Sequence, residues 1–317
     1  MDVAAIGELL IDFTCKSIDE DGYPAMEAHP GGAPANFLAA LSRYGFRTAL
    51  LGKVGKDAFG KLLVGTLQKA GIETRGMVMA DDAFTTLAFV TLDEQGDREF
   101  SFARKPGADT QLSFEELNLS LIDEAKVLHF GTLSLTDEPS RTATVRTVEY
   151  ARSKGKLITF DPNLRKPLWS SLEEAKEQML WGLGQADVVK ISDDEVDVLF
   201  ACSPEEGAEK IRKEFGCKLV FVTCGADGCY YRNRNCSGHV PALSGITVLD
   251  TTGAGDIFGG SAVARLLQCG KAPEELERAD LEEIVRFACT AAGLSTTKPG
   301  GISSVPDPET VLEYLSK

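Results

Sequence analysis

Histidine is scarce in this sequence, and paired cysteines and long apolar runs are missing from it. The 317 residues include three histidines, His29, His129 and His239, which lie far apart. The eight cysteines are scattered and none forms a Cys-x-x-Cys pair, so we expect reduced, mostly buried thiols rather than a zinc site or disulfides. No apolar run is long enough to predict a membrane-spanning helix.

Basic residues are also few relative to acidic ones. Lys and Arg total 33 against 48 Asp and Glu, which gives a formal net charge of −15. This charge argues against nucleic acid or an anionic membrane surface as a partner. The start of the chain carries acids and no basic segment, so we expect no signal peptide and a cytoplasmic protein. If the substrate is a nucleotide, a few basic side chains must be concentrated at its site.

Strand-like and helix-like segments alternate along nearly the whole chain. The predicted strands are Val3–Ile11, Thr48–Val54, Val127–Leu133, Lys156–Asp161, Asp187–Ile191 and Leu219–Thr223. The predicted helices are Ala35–Tyr44, Phe59–Ala70, Ser140–Lys154, Leu172–Leu183, Glu205–Phe215, Ile257–Gln268 and Leu281–Thr296. Such alternation predicts an α/β fold with a mainly parallel sheet, helices on both of its faces, and ligands at the carboxyl ends of its strands.

Two segments interrupt this alternation. Phe84–Asp93 and Arg98–Arg104 are rich in β-forming residues and are joined by Glu94–Asp97, which predicts a hairpin. The segment 13–30 is polar and non-helical. We therefore expect a core made of residues 1–12, 31–83 and 110–317. Residues 13–30 and 84–109 are expected to form a small β element folded against that core.

The segment Asp250–Asp256, with the sequence DTTGAGD, carries the strongest functional signal. A β-rich run, Gly245–Leu249, leads into it, and an apolar segment at helical spacing from Ile257 leads out, so we expect a strand that turns into the first turn of a helix at the glycines. Glycines let backbone N–H groups approach an anion, and a helix start adds unpaired donors and a positive dipole end. Asp256 at that start is suited to act as general base for a hydroxyl that attacks phosphorus. A capping aspartate is the simpler alternative, but it does not explain the surrounding threonines and glycines.

Two other nucleotide-binding motifs are matched only in part. Gly55–Leu62 nearly matches a P-loop, but Leu62 stands where a Ser or Thr hydroxyl should bind Mg²⁺, so we interpret the segment as a helix start after a strand. Gly253 and Gly255 lack the third glycine of a dinucleotide fingerprint, because Phe258 occupies its position. The second mismatch argues against a dehydrogenase.

Polar residues near the first strands are candidates for contacts with a sugar. Gly31 and Gly32 permit close approach of the backbone, and Asn36 offers both a donor and an acceptor. Asp12, at the end of the first predicted strand, can accept hydrogen bonds from sugar hydroxyls. Each residue alone is better explained by a turn or a helix cap than by a contact with a ligand. Their shared position at the carboxyl ends of early strands favours sugar contacts.

Later strands end in residues suited to phosphate and metal. Arg165 follows the strand that ends at Asp161 and is a candidate phosphate clamp. Glu195 opens a helix and could hold Mg²⁺ through water, although an acid that complements the helix dipole is the simpler interpretation. Thr223–Gly228 is a strand end with a glycine-rich turn, which suits the edge of a nucleotide or simply a hairpin.

Together these motifs resemble the ribokinase-like carbohydrate kinases, the phosphofructokinase-B family, over essentially the full chain. The matching motifs, in the family's order and spacing, are Gly31-Gly32, Asp161-Pro162-Asn163, Glu195, Thr223-x-Gly225 and Asp250–Asp256. Within the family the chain is most similar to fructokinases, in the segments Gly31–Asn36, Arg104–Asp109 and Asp161–Trp169. The resemblance implies the family's three-layer α/β fold, with a small β-sheet lid that closes over the sugar.

The resemblance also implies a role for each candidate residue. The implied catalytic residues are Asp256, Gly253, Ala254, Gly255 and Arg165. The implied sugar contacts are Asp12, Gly31, Gly32, Asn36, Arg104 and Asp256. The implied ATP contacts are Lys190, Thr223, Gly225, Gly228, Gly253, Gly255 and Cys289. The implied metal contacts are Glu195, through water to Mg²⁺, and Asp250, Thr252, Gly300 and Ser304 for a monovalent cation.

Three of these positions need comment. Ser192 stands in place of the usual Asn of the family's Asn-x-x-Glu motif, as in many fructokinases. Cys289 replaces an Asn commonly found beside the adenine pocket, which leaves the nucleotide preference open. Arg104 ends the predicted hairpin, and we expect the lid to present it to the sugar; an exposed arginine at a strand end is the simpler alternative.

The motifs and the resemblance together imply an ATP-dependent sugar kinase that phosphorylates a 6- or 1-hydroxyl and uses Mg²⁺ and K⁺, with conversion of D-fructose to fructose 6-phosphate as the leading hypothesis. A 2-keto-3-deoxygluconate kinase, a ribokinase and a nucleoside kinase are alternatives within this class. A catalytically silent sugar-binding regulator is the alternative outside it, although the intact Asp256 and the neighbouring glycines argue against one. A homodimer formed through the lid is left open.

Overall fold

The computed structural model describes residues 1–92 and 98–316 and contains two separate β-sheets with helices around the larger one. The strands are β1 (Val3–Ile6), β2 (Leu10–Ile18), β3 (Pro24–Gly31), β4 (Thr48–Gly55), β5 (Ile72–Glu73), β6 (Met77–Ala80), β7 (Leu87–Leu92), β8 (Arg98–Ala103), β9 (Val127–Gly131), β10 (Leu157–Asp161), β11 (Val188–Ser192), β12 (Leu219–Thr223), β13 (Cys229–Asn233) and β14 (Ser237–Val240). The helices are α1 (Ala33–Arg43), α2 (Ala58–Lys69), α3 (Ser120–Glu124), α4 (Ser140–Ser153), α5 (Leu172–Gln185), α6 (Asp193–Phe200), α7 (Pro204–Phe215), α8 (Ala254–Cys269), α9 (Arg278–Ser295) and α10 (Pro308–Leu315).

The large sheet lies between two layers of helices. Its strand order is β14-β13-β12-β11-β10-β9-β1-β4-β5, with β6 also beside β4, and β13 and β14 are the antiparallel members. Alternate residues of β1 face opposite layers, because successive side chains of a strand point to opposite faces. Val3 packs in a core with α1 and α8, whereas Ala4 packs in a core with α4 and α5. The predicted α/β fold with a mainly parallel central sheet is confirmed.

The small sheet is built from the two segments that interrupt the alternation in the sequence. Its strand order is β3-β2-β7-β8; β2 and β7 are parallel and the other pairs are antiparallel. The separate small β element is thus confirmed, while the predicted connection Glu94–Asp97 lies outside the described residues. The division into core and lid residues stays a prediction, although Asp12, which it assigns to the core, lies on β2.

Two local predictions were wrong. The single strand predicted over Val3–Ile11 is two strands in different sheets, because the chain turns at Gly7, whose φ of 154° suits glycine. The run Gly245–Leu249 forms no strand: the backbone N–H of Leu249 donates instead to the carbonyl of Thr296, just after α9. The seven predicted helices are confirmed to within three residues at each end. No helix in the described part of the chain is long and apolar enough to cross a membrane.

Two glycines of α5 provide a test of the packing between this helix and the sheet. A Cβ on buried Gly182 would lie 2.3 Å from the ring of Phe160, whereas a Cβ on exposed Gly184 would meet nothing within 4 Å. We expect Gly182→Ala to lower the free energy of unfolding by about 1–3 kcal/mol through overpacking. The matched control Gly184→Ala should leave it unchanged or raise it by up to ~1 kcal/mol. Urea unfolding of both variants would measure the difference, and equal stabilities would contradict this packing.

Candidate active site

Several residues of the sequence motifs lie at the carboxyl edge of the large sheet. Asp161, Ser192 and Thr223 are the last residues of the adjacent parallel strands β10, β11 and β12. The start of α8 comes to the same edge, since Asp256 influences the ionisation of Asp161. These residues therefore lie where ligand sites of parallel α/β sheets are expected.

The first turn of α8 presents unpaired backbone donors. Gly253 precedes the helix in a left-handed conformation, with φ of 75°, and supplies no side-chain cap. The N–H of Ile257 donates to the carbonyl of Gly253. Among the residues that the structure describes, the N–H groups of Gly255 and Asp256 have no protein acceptor. Such donors, at the positive end of the helix dipole, form a site suited to phosphate oxygens.

Asp256 lies in that turn with one carboxylate oxygen anchored. Its Oδ2 accepts a hydrogen bond of 2.8 Å from Nδ2 of Asn36 on α1. Its Oδ1 accepts none from any residue of the described chain. Burial raises the pKa of Asp256, while Asn36, Lys190 and Arg165 oppose the rise. A carboxylate with one free oxygen and a raised pKa is suited to removing a proton from a hydroxyl.

A buried ion pair packs against the first turn of α8. Nζ of Lys190 lies 3.0 Å from Oδ2 of Asp161, and both side chains are largely buried. A Cβ on Gly255 would lie 2.9 Å from Nζ, so the ammonium group contacts the first turn of α8. Burial raises the pKa of Asp161, and the charges of Glu195 and Asp256 add to the rise. Asp161 was predicted only as part of a motif, because its pairing with Lys190 depends on β10 and β11 lying side by side.

Asp12 and Arg165 approach the site from different elements. Asp12 lies on β2, and a Cβ on Gly31 would lie 2.2 Å from its Oδ2, so this carboxylate packs on the glycine backbone. Burial raises the pKa of Asp12 to about 6, Arg165 opposes the rise, and Asp256 adds to it. Arg165 donates to the carbonyl of Leu164 and forms no ion pair within the described residues. Its charge is therefore available to an anionic ligand.

Gly32 and Asn36 sit at the start of α1. Gly32 has a φ of 118°, and a Cβ there would lie 2.5 Å from the carbonyl oxygen of Glu8, so only glycine fits. The carboxylate of Glu8 accepts a hydrogen bond of 2.9 Å from the N–H of Ala33, and burial raises its pKa to about 7. Sequence reasoning missed this buried acid, which follows β1 in a segment assigned to a continuous strand.

Glu195 braces the loop that carries Arg165. Its Oε1 accepts from the N–H of Leu164 at 2.7 Å, and its Oε2 accepts from the N–H of Ser192 at 2.8 Å. Through these bonds Glu195 caps the start of α6 and also holds the loop that follows β10. A contact with Mg²⁺ through water would use the remaining lone pairs and stays a prediction. Within the described residues, no group of three or more acidic, His or Cys side chains could hold a metal ion by itself.

The residues predicted for a monovalent cation are brought together. Asp250 Oδ1 accepts from the N–H and the hydroxyl of Thr252, at 2.9 and 2.7 Å. Asp250 Oδ2 accepts from the N–H of Gly300 at 2.9 Å. Ser304 is buried and donates to the carbonyl of Gly301, the next residue along. The loop before α8 and the loop after α9 are thus joined through one carboxylate.

The residues predicted for the nucleotide surround the turn after β12. Thr223 ends that strand, and Gly225 and Gly228 follow with φ values of 53° and 102°. A Cβ on Gly228 would lie 2.1 Å from the carbonyl oxygen of Val240, so the turn packs closely on the end of β14. Cys289 reaches the same place from α9: burial raises its pKa to about 12, and the neighbouring thiol Cys224 adds to the rise.

Arg104 is placed differently from the expectation of a side chain presented to the sugar. Its guanidinium is 3% exposed and pairs with Asp109 at 2.7 Å. It also donates to the hydroxyl of Thr136 and the carbonyl of Leu133, at 2.7 and 2.8 Å. The prediction that the end of the hairpin presents Arg104 to the sugar did not take these partners into account, which all lie later in the chain. The structure shows a buried structural network here, and a sugar contact by Arg104 stays a prediction.

A small cavity of about 20 Å³ lies beneath Asp256 and Lys190. Its wall includes His129, whose ring stacks on Phe37 with centroids 3.7 Å apart. Burial lowers the pKa of His129 to about 3, and the charge of Lys190 lowers it further, so this ring is neutral near pH 7. A larger cleft of about 430 Å³ lies between α7 and the β13–β14 hairpin and contains none of the predicted site residues.

Unpaired donors at a helix start, a carboxylate beside them and an available arginine are the groups expected in a phosphotransferase that acts on an alcohol group. The family model described as pfkB family carbohydrate kinase matches residues 1–308. The chain belongs to this family, and the enzyme transfers a phosphoryl group to a sugar hydroxyl.

Individual relatives agree with this assignment. Fructokinase-1 of Zea mays is 42% identical over 320 residues, covering 99% of this chain and 98% of that protein. The crystal structure of fructokinase with bound ATP from Xylella fastidiosa matches with a TM-score of 0.90 and 30% identity, over 99% of this chain and 98% of that one. A fructokinase double mutant from Vibrio cholerae O395, with fructose, ADP and potassium ion bound, matches with a TM-score of 0.88 and 30% identity over the same shares.

The Arg104 network can be tested by its effect on stability. Arg104→Met would leave the carboxylate of Asp109 buried without its partner, so we expect the free energy of unfolding to fall by about 3–5 kcal/mol. The control is Arg75→Met, which removes a half-exposed pair with Glu73 and should cost less than about 1 kcal/mol. Denaturant unfolding would compare the two. A small loss at Arg104 together with a raised KM for the sugar would instead favour the sugar-contact role.

Proposed function

We propose that this protein phosphorylates D-fructose with ATP, giving fructose 6-phosphate, with Asp256 as the general base. The observation that carries the proposal is the position of Asp256, which has one free carboxylate oxygen beside the unpaired N–H groups of α8. The similarity to fructokinases over nearly the full chain supports fructose as the acceptor. The 30% identical structure that contains fructose and ADP supports the same pair of ligands.

In the proposed mechanism the sugar lies between the small sheet and α1. Asp12 and the backbone of Gly31 and Gly32 hold its hydroxyls, and the small sheet serves as a lid that excludes water. Asp256 Oδ1 takes the proton of the attacking hydroxyl. The small β sheet and the cores of both helix layers keep these groups in fixed positions, which lowers the entropy cost of reaction.

The remaining proposed roles concern the phosphates. The N–H groups of Gly255 and Asp256 and the side chain of Arg165 stabilise the charge on the transferred group. Lys190 lies against the first turn of α8 and adds positive charge next to these N–H groups. Thr223, Gly225, Gly228 and Cys289 form the nucleotide end of the site. When it is bound with ATP, Mg²⁺ would neutralise part of the phosphate charge. Glu195 is its candidate contact, through water.

We also propose a K⁺ site at the loops joined by Asp250. The hydrogen bonds that Asp250 accepts from Thr252 and Gly300 join two loops, and backbone carbonyl oxygens of such loops are suitable ligands for K⁺. A potassium ion in the 30% identical Vibrio cholerae structure supports this assignment. A cation there would act through the shape of the turn that leads into α8, rather than on the sugar directly.

The substrate assignment predicts a ranking of acceptors. With MgATP and K⁺ present, fructose should give the highest kcat/KM among fructose, glucose, ribose, 2-keto-3-deoxygluconate, adenosine and fructose 6-phosphate. A coupled assay of ADP release would measure all six. If another acceptor is preferred by more than about tenfold, the fructokinase proposal is wrong, while membership of the family is unaffected.

The base assignment predicts the effect of an isosteric substitution. Asp256→Asn should lower kcat by roughly 10²–10⁴-fold, because the amide cannot accept the proton, with little change in stability. In the unmodified enzyme, kcat should fall as the pH is lowered through the pKa of Asp256, which burial raises above the ordinary carboxyl value. Steady-state kinetics from acid to neutral pH would check both. Near-normal turnover by Asp256→Asn would remove Asp256 from the mechanism.

A further inference from the structure

The side chain of Asn36 is held in an unusual way for a residue expected only to contact sugar. It is 3% exposed, and its Nδ2 donates to Asp256 Oδ2 at 2.8 Å. Its Oδ1 is buried and has no hydrogen-bond partner within the described residues. Since a carboxylate only accepts, the amide nitrogen must face Asp256 and the oxygen must point away. Leaving a buried acceptor unpaired costs free energy. The orientation of the amide is therefore set by its hydrogen bond to Asp256 and not by pairing of both of its polar atoms.

Two glycine backbones enclose the amide in this orientation. A Cβ on Gly301 would lie 2.2 Å from Asn36 Oδ1, and a Cβ on Gly253 would lie 3.0 Å from Nδ2. Neither backbone leaves room for the amide to rotate freely. The helices that carry the pair are also in close contact, since a Cβ on Gly260 of α8 would lie 2.3 Å from the carbonyl oxygen of Phe37 on α1. The contact between Asn36 and Asp256 is therefore rigid.

The anchored oxygen determines which oxygen can react. With Oδ2 of Asp256 occupied by the amide, Oδ1 is the one that has no partner in the described chain. We propose that Asn36 is a positioning residue, whose amide fixes the carboxylate of Asp256 so that Oδ1 faces the attacking hydroxyl. This inference rests on the proposed role of Asp256 as the base.

The charge of Asp256 also depends on this contact. The charged groups that face Asp256 come from five elements: Lys190 on β11, Arg165 after β10, Asp161 at the end of β10, Glu195 on α6 and Asp12 on β2. Burial raises the pKa of Asp256, and the hydrogen bond from Asn36 is the foremost of the effects that oppose the rise. Without that bond the carboxylate would hold its proton to a higher pH, and a protonated Asp256 cannot act as a base.

The main test is Asn36→Leu, which keeps the approximate volume and removes the donor. We expect kcat to fall by about 10- to 10²-fold, since a misplaced reacting group has costs of this order. We expect the acid limb of the kcat–pH profile to move to higher pH by about one unit, the shift that loss of one hydrogen bond to a charged group produces. The KM for the sugar should change by less than about threefold.

Gly301→Ala provides a second variant if Asn36→Leu does not fold. Gly301 has a φ of −88°, which alanine adopts readily, but its Cβ would displace the Asn36 amide. It should lower kcat and shift the acid limb in the same direction while Asn36 itself is intact. Gly184→Ala, on the exposed face of α5, is the matched control and should leave the profile unchanged.

Three outcomes would overturn the proposal. A raised sugar KM with unchanged kcat and an unmoved acid limb would make Asn36 a sugar contact only. A lower melting temperature with normal kcat and pH profile would make it structural only. An additional loss when Asn36→Leu is combined with Asp256→Asn would show that it acts independently of Asp256. Failure of the underlying function is distinguishable, because Asp256→Asn alone would then retain turnover. The measurements use whichever sugar has the highest kcat/KM.

Discussion

The ion pair between Lys190 and Asp161 is the interaction on which the site depends. Several carboxylates share the buried edge of the sheet in a chain of net charge −15, and they would repel one another without a cation among them. Burial disfavours the charge of Lys190, but Asp161, Glu195 and Asp256 outweigh it and raise the pKa of the ammonium. The same ammonium contacts Gly255, so the ion pair also supports the turn that holds the free N–H groups.

Local signals were sufficient to predict much of this site. The region around Asp256 could be recognised because glycines, threonines and aspartates lie within seven residues and an amphipathic helix follows at once. The pair of Lys190 and Asp161 could not, because the partners are separated along the chain and meet only through the pairing of β10 and β11. Arg104 shows a related limit: Asp109 is close to it in sequence, but Leu133 and Thr136 belong to the loop after β9, so the burial of Arg104 could not be predicted from a local pattern.

The fold was predictable to a similar extent, because patterns within one segment could be recognised and contacts between distant segments could not. Helices with an apolar stripe were located closely, since their pattern lies within one segment. The strand predicted before Asp250 does not form, because the N–H groups of Leu249 and Asp250 donate to the carbonyl of Thr296, after α9, and not to a neighbouring strand. Near the amino terminus, the predicted strand Val3–Ile11 supplies β1 and the first residues of β2. A break at Gly7 sends the second strand to the small sheet, which hydropathy alone does not reveal.

The stacked, neutral His129 affects how titration data on this protein should be assigned. An inflection near pH 6 or 7 is conventionally attributed to histidine, because its ordinary pKa lies there. Here the buried ring beneath the site has a pKa of about 3, whereas Asp12 and Glu8 have values of about 6 and 7. A group that ionises in the neutral range is therefore as well explained by a carboxyl, which infrared or carbon NMR signals would distinguish from an imidazole. Chemical modification of histidine would report on the surface rings instead of on this pocket.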